Sequence, residues 1–463
     1  MIVWVFWSAL LKSMLKILDY LDEAPAMKIH KSVRKSRHSL VGFCLVLLLG
    51  SFSRAAASAE LEPVLTLAEA RSNALSSNPG LAEMQERYEA LTHIAPQVSS
   101  LPDPVVSLNA MNLPWDSFDV NQEPMTQMQV GVSQMFPFPG KLSLREDVAV
   151  FEADAALHSV AEMRLNLDMT VSLTWWEIYF LDRSLETVIK NKSLMRQFIK
   201  IARTKYEVGS GLQQDVLLAQ LELSKLLDRE IQLKSMRENR VIRLNVLMDQ
   251  LPDLPMQLPT VMPPFSGTVA SESNLYERAR LARPLLMQEK AVINASESRL
   301  ALAEKEYYPD FMVGMAYGKR DEDTFGRSRK DFLSVMLSIN IPLYAGSKQS
   351  EAVKQRAREL AKNRYSLVDT RNMVMSSISS SVTDYEQAKE QLDLYGNGIL
   401  PQARQTVESM LVGYQVNEVD FLNLVGSQIT LLNYELLYWK AFTEISQSAA
   451  RIRAAVGEEN IYE

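Results

Sequence analysis

"KYEVGSGLQQDVLLAQLEL", residues 205–223, and "GYQVNEVDFLNLVGSQITL", residues 413–431, say nearly the same thing 208 positions apart. Tyr206 matches Tyr414, Val208 matches Val416, Gln220 matches Gln428 and Leu223 matches Leu431. In the first copy Gly209, Ser210 and Gly211 break a helix, because glycine adopts positive φ without a Cβ penalty. Leu217, Leu221 and Leu223 then resume an apolar helical spacing. Each copy reads as helix, turn, helix.

The duplication extends outward from these turns. "SSNPGLAEM" is echoed by "ARPLLMQEK", "LPDPVVSLNAMN" by "YYPDFMVGMAYG", and "QVGVSQMFPFPGK" by "SVMLSINIPLYAGSK". The spacing predicts a first repeat at 60–248 and a second at 271–463. Between them, "QLPDLPMQLPTVMPPFSG" carries five prolines, which forbid continuous helix and mark 249–270 as a linker.

Within each half the predicted order is helix, two short strands, very long helix, turn, helix. Alternation carries the strands. "FLSVMLSINI" sets Leu333, Val335, Leu337, Ile339 and Ile341 on one face, and "MQVGVSQMF" sets Met128, Val130, Val132 and Phe136 together. Each strand is expected to hold roughly 9–11 residues, the length a tilted strand needs to cross a bilayer. Residues 142–206 and 347–395 contain no proline or glycine. At a rise of 1.5 Å per residue, the first of these makes a rod about 100 Å long. Leu181, Leu185, Val188, Lys192, Met195, Ile199, Ala202 and Tyr206 step alternately by four and three, with Lys192 the one polar member. Leu422, Val425, Ile429, Leu432, Leu436 and Trp439 do the same, which predicts left-handed coiled-coil packing.

Composition narrows the function classes. Hydrophobic residues make up 47% of the 463 positions and charged residues 23%, as in a folded protein, and 17 glycines are too few for an all-β chain. Residues 1–59 hold eight basic and three acidic side chains, leaving 41 against 53, a balance of −12. That balance disfavours nucleic acid as a partner, because neutralising phosphates requires clustered Lys and Arg. The front end is expected to be an export signal over 1–59: a basic stretch at 28–37, an apolar one at 40–49, then Ala57, Ser58 and Ala59 as a cleavage site. Met27 is an alternative start. Cys44, the one cysteine, falls in the apolar stretch behind Phe43, a poor setting for a lipid anchor.

Enzyme chemistry finds little support. His93 and His158 stand far apart, and no P-loop, Cys/His cluster or G-x-S-x-G motif occurs, so no catalytic residue, cofactor or metal site is expected. Met163 with Met169, and Met373 with Met375, read as gap-filling in helical packing.

Four strands cannot close a barrel, and open sheet edges are not tolerated in hydrocarbon, so several chains would have to share one barrel. Long helices would then hang from one rim. Pro137, Pro139 and Gly140 in "PFPGK", and Pro342 and Gly346 in "PLYAGSK", fit that junction: proline ends the ladder and glycine turns the chain.

The strand pairs, junctions, long helices and "Y-x-V-G" turn followed by Asp215 resemble the TolC family of outer-membrane efflux ducts over nearly all of 60–457. The resemblance implies a homotrimer with a twelve-stranded barrel in outer-membrane lipid and an α-helical periplasmic tunnel. It also implies a periplasmic adaptor and an inner-membrane pump of the RND type as partners, in a Gram-negative bacterium. By the same resemblance Val208, Gly209, Val416 and Asn417 would face the adaptor, and Asp215 and Tyr414 would help close the periplasmic entrance. Val419 stands where the best-known members carry a gate arginine, and Asn423 and Gly426 where they carry acidic rings. Asp215 also reads as an ordinary helix N-terminal acid, favoured by the helix dipole. "FPFPGKL" resembles the branch serving metal-cation pumps more than the drug branch. Drug-efflux and type I protein-secretion ducts remain alternatives, with a soluble coiled-coil adaptor as a remoter one.

Overall fold

The computed structural model describes residues 64–261 and 267–462. The expected export signal lies outside the described residues. The chain opens with three short helices, α1 (Leu67–Ser77), α2 (Pro79–Thr92) and α3 (Ile94–Ser99), where one helix was expected. The break falls at Asn78, held extended by the proline after it, with its Oδ1 accepting the Leu81 N–H at 3.1 Å. Strands β1 (Val105–Met111) and β2 (Gln127–Phe136) follow, then α4 (Lys141–Glu207) and α5 (Gln213–Leu247). The second half repeats the order with two helices in place of three before its strands: α6 (Glu272–Ala282), α7 (Pro284–Lys305), β3 (Phe311–Lys319), β4 (Phe332–Ile339) and α8 (Gln349–Asp393). A π-helical turn (Leu394–Ile399) joins α8 to α9 (Leu400–Gln415), and α10 (Phe421–Val456) completes the chain.

The four strands form one antiparallel sheet in the order β1-β2-β3-β4. They hold 7, 10, 9 and 8 residues, so β1 and β4 fall short of the expected length. β1 stops at Asn112, whose φ of 55° turns the chain. β4 stops before Pro342, and Ile341, expected on its apolar face, lies beyond it. Register separates the two faces of the sheet. Val106, Val132, Met315 and Val335 share one row, and Leu108, Val130, Tyr317 and Leu333 share another on the same face. On the opposite face lie Ser107, Gly131, Ala316 and Ser334, then Asn109, Gln129, Gly318 and Phe332. One face is apolar and exposed; the other is mostly small or polar, with Phe332, Val105 and Met336 among its large apolar members.

Below the sheet the helices pack along one another. Leu181, Val188, Met195 and Ala202 of α4 are buried with Leu226 and Leu233 of α5 and Leu424 and Val425 of α10. Lys192, the polar member of the heptads, is buried and pairs with Glu230 on α5. Tyr206 and Leu422, at the ends of the two heptad series, are exposed. So are Leu217 and Leu221: α5 turns Val216, Ala219, Leu223 and Leu226 to the core instead. Midway, Trp175, Trp176 and Tyr179 pack against Trp439 and Phe442. No described helix is long and apolar enough to cross a membrane.

The proline-rich segment is fastened to the body. Leu65 N–H donates to Gln257 O at 2.9 Å, Arg237 donates to Met256 O at 2.9 Å, and Met256 and Leu258 are buried.

Candidate functional site

The two helical turns of the duplication lie side by side and share one geometry. Val208 (φ −94°, ψ 8°) and Val416 (φ −94°, ψ 7°) end their helices alike. Gly209 at φ 73° and Asn417 at φ 67° then make the left-handed step. Ser210 N–H donates to Lys205 O at 2.8 Å, and Glu418 N–H donates to Gly413 O at 2.9 Å. This is the hydrogen bonding that closes a helix C-terminus over a left-handed residue. Val208 and Val416 are 71% and 62% exposed, so each apex presents an apolar side chain to its surroundings.

The turns differ in how they fill one contact. A Cβ on Gly211 would lie 2.8 Å from Lys205 Cβ, and a Cβ on Gly413 would lie 2.6 Å from Val419 Cγ2. Residues 205 and 413 are mates, as are 211 and 419, so each turn tolerates one large partner and has swapped which position carries it. Val419 is therefore packed within its own turn.

Tyr414 joins the two hairpins. Its side chain is 4% exposed, lies 5.0 Å from the Phe421 ring, and donates its hydroxyl to Asp215 Oδ2 at 3.2 Å. Burial and the Asp215 carboxylate push the Tyr414 hydroxyl up to about 12, so it stays protonated and a donor at neutral pH. Lys205 Nζ sits 4.6 Å from the centre of the same ring and donates to the backbone oxygens of Tyr414 and of Gln415, the latter at 3.2 Å. Asp215 occupies the first turn of α5, where the helix dipole also favours its charge. Asn423, the mate of Asp215, is exposed, as is Gly426.

Behind this contact the repeats diverge further. Gln428 is buried and donates to Asn191 Oδ1 at 2.6 Å, whereas its mate Gln220 is exposed.

At the other end of α4 lies the strand-to-helix junction. Gly140 takes φ 92°, and Pro137 and Pro139 precede it in the connection from β2. In the second repeat Pro342 and Gly346 lie in the corresponding turn, but Gly346 has no positive φ and open space around it. Lys141 was missed by sequence reasoning. It is 1% exposed, at the first position of α4, and donates to Asp310 at 2.9 Å, Tyr308 O at 3.1 Å and Glu306 at 3.3 Å. A cation is disfavoured at a helix N-terminus, and these acceptors from the second repeat offset that cost. Asp310 also accepts the Phe138 N–H at 2.8 Å. The aspartates of "LPDP" and "YYPD" were a signal: the acid recurs in both repeats beside the start of a strand. Lys348, which ends the second junction sequence, is exposed.

Residues 70–249 and 275–458 match the outer membrane efflux protein family. The chain belongs to that family. Its members are channels of the outer membrane, not enzymes. Among curated relatives, the outer membrane efflux protein BepC of Brucella suis is 22% identical over 271 residues, 58% of each chain. The cobalt-zinc-cadmium resistance protein CzcC of Cupriavidus metallidurans is 22% identical over 179 residues, 38% of this chain and 40% of that one. These matches span less than two thirds of either relative. The solved structure of the outer membrane protein VceC from Vibrio cholerae superposes with a TM-score of 0.72 at 16% identity. That match covers 85% of this chain and 96% of the other, and shows the same fold.

Proposed function

We propose that three copies of this chain form a duct through the outer membrane, with a shared twelve-stranded barrel above and an α-helical tunnel below. The two-faced sheet carries this reading. The apolar row of Val106, Val132, Met315 and Val335 suits lipid, and the row of Ser107, Gly131, Ala316 and Ser334 suits a water-filled lumen. Three chains of four strands pair every edge. The 67 residues of α4 continue from the sheet for about 100 Å, long enough to extend deep into the periplasm. Repeats at 60–248 and 271–463, joined by a linker at 249–270, would each supply one hairpin of strands and one of helices.

In this reading Val208, Gly209, Val416 and Asn417 form the tips that meet a periplasmic adaptor, itself joined to an inner-membrane pump of the RND type. The Asp215–Tyr414 contact holds the entrance closed in the resting state. The exported substrate is a metal cation: the "FPFPGKL" junction and the likeness to CzcC both favour that class.

Deleting the gene from its host tests the substrate, and purified protein in planar bilayers tests the duct. The deletion is expected to sensitise cells to cobalt, zinc or cadmium, and the purified protein to conduct. Sensitisation to hydrophobic drugs alone would replace the cation by a drug. Absence of conductance from every assembled preparation, including variants at Asp215 and Tyr414, would refute the duct.

A further inference from the structure

Tyr414 reaches from the second tip to the first, and Lys205 reaches from the first to the second with no counterpart in the other repeat. Lys205 stands in the last turn of α4, where a basic side chain ordinarily serves its own helix. Its ammonium instead caps α9, donating to the backbone oxygens of Tyr414 and Gln415, and lies against the face of the Tyr414 ring. Lys205 makes no ion pair among the described residues, and the carboxylate nearest in sequence, Glu207, accepts from Arg203 at 3.0 Å. Its charge is thus directed at the negative end of a helix belonging to the other repeat. The mate of Lys205 is Gly413, which has no side chain to return the contact.

Tyr414 is therefore held twice from the first hairpin. Asp215 on α5 takes its hydroxyl, while Lys205 on α4 takes its ring and its carbonyl. Tyr206, the mate of Tyr414, is exposed. Val419, which replaces the family's gate arginine, is packed on Gly413 and offers no charge.

We infer that Lys205 is a positioning residue of the closed entrance: it anchors the C-terminus of α9 to α4 and so keeps the Tyr414 hydroxyl on Asp215. This inference rests on the proposed role of the Asp215–Tyr414 contact in closure. Lys205 supplies, from the opposite hairpin, the cationic contact that Val419 lacks. Loss of the ammonium would free the end of α9, and the hydroxyl would leave the carboxylate with it.

Single-channel conductance of the purified full chain in planar bilayers tests this, with K205M, K205R, D215A, Y414F and the pair K205M/D215A. K205M, like D215A and Y414F, is expected to raise conductance severalfold, and K205R to stay near the parent. The pair should add little to either single change, because both act through Tyr414. Heat-resistant assembly should be unchanged in K205M, which a general loss of folding would not leave intact. Should K205M assemble poorly, K205Q, an uncharged donor, carries the same comparison. If D215A and Y414F raise conductance and the lysine variants do not, Lys205 has no such role and the entrance reading stands. Full additivity of the pair would likewise overturn positioning through Tyr414. If none of the single variants changes conductance, the entrance reading itself fails, and the role of Lys205 with it.

Discussion

Gly209 and Asn417 occupy one backbone conformation in two copies of a turn, and they show what that conformation demands of a side chain. A left-handed step costs an ordinary L-residue about 1–2 kcal/mol, and asparagine tolerates it better than most because its short polar side chain bonds locally. The space beside Gly209 is open, so φ and not crowding restricts the position. Gly209→Asn is therefore expected to behave like the parent, with Gly209→Val losing metal tolerance and exposing the tip to limited proteolysis. Equal behaviour of the two variants would show that φ does not govern this turn. Tyr414 and Asp215 are singled out by the family resemblance, and the duplication sets each of them beside a turn. Lys205 is not, since its acceptors are backbone oxygens of the other hairpin and no residue type announces them.

At the scale of elements, the second long helix must pass Gly396, Gly398 and Pro401, residue types that ordinarily weaken or end an α-helix. The chain instead widens into the π-helical turn, with Leu400 N–H donating to Tyr395 O, and continues to Gln415. A widened turn moves the carbonyl four residues back away from the proline ring, which removes the clash that would stop an α-helix. Within it the two glycines differ. A Cβ on Gly398 meets Leu394 Cδ1 at 3.5 Å, an ordinary contact, whereas one on Gly396 meets Tyr438 Cε2 at 3.3 Å. Gly398→Ala should raise thermal stability by roughly 0.5–1 kcal/mol through lost backbone entropy in the unfolded chain. Gly396→Ala should gain less, because Tyr438 must shift. Melting of both variants in detergent decides this, and a larger gain for Gly396→Ala would contradict the close approach of the Tyr438 ring. The polar heptad position finds its reason at this scale too. Lys192 and Lys234 hold the Glu230 carboxyl down at about 2, so Lys192 is buried beside a carboxylate that stays charged.

For the whole molecule, one chain leaves the outer edges of β1 and β4 without a strand partner among the described residues, and leaves the apolar face of the sheet exposed. Both defects vanish when sheets from several chains join edge to edge in lipid. The assembled protein is therefore expected to be a detergent-requiring trimer that migrates intact on unheated gels and reads as three chains by native mass spectrometry. A monodisperse monomer with native helicity in detergent-free buffer would contradict this. Leu217, Leu221, Tyr206 and Leu422, exposed in the single chain, are among the apolar side chains such assembly could cover in the tunnel.

The order of elements, the strand faces, the heptads and the duplication were legible from sequence alone, because each is a periodicity of two, three or four residues, or a repeat at constant offset. The periodic signals lie within a few positions of one another, the repeat is found by laying the chain against itself, and both survive without knowledge of the fold. Lys141 buried against Asp310, Gln428 buried where Gln220 is exposed, and Lys205 laid on Tyr414 were decided by tertiary structure. Each depends on which residue from the other repeat, some 170 to 240 positions away, arrives beside it. Two copies of one sequence pattern begin alike; packing them against each other gives every mate a different neighbour, and so a different role.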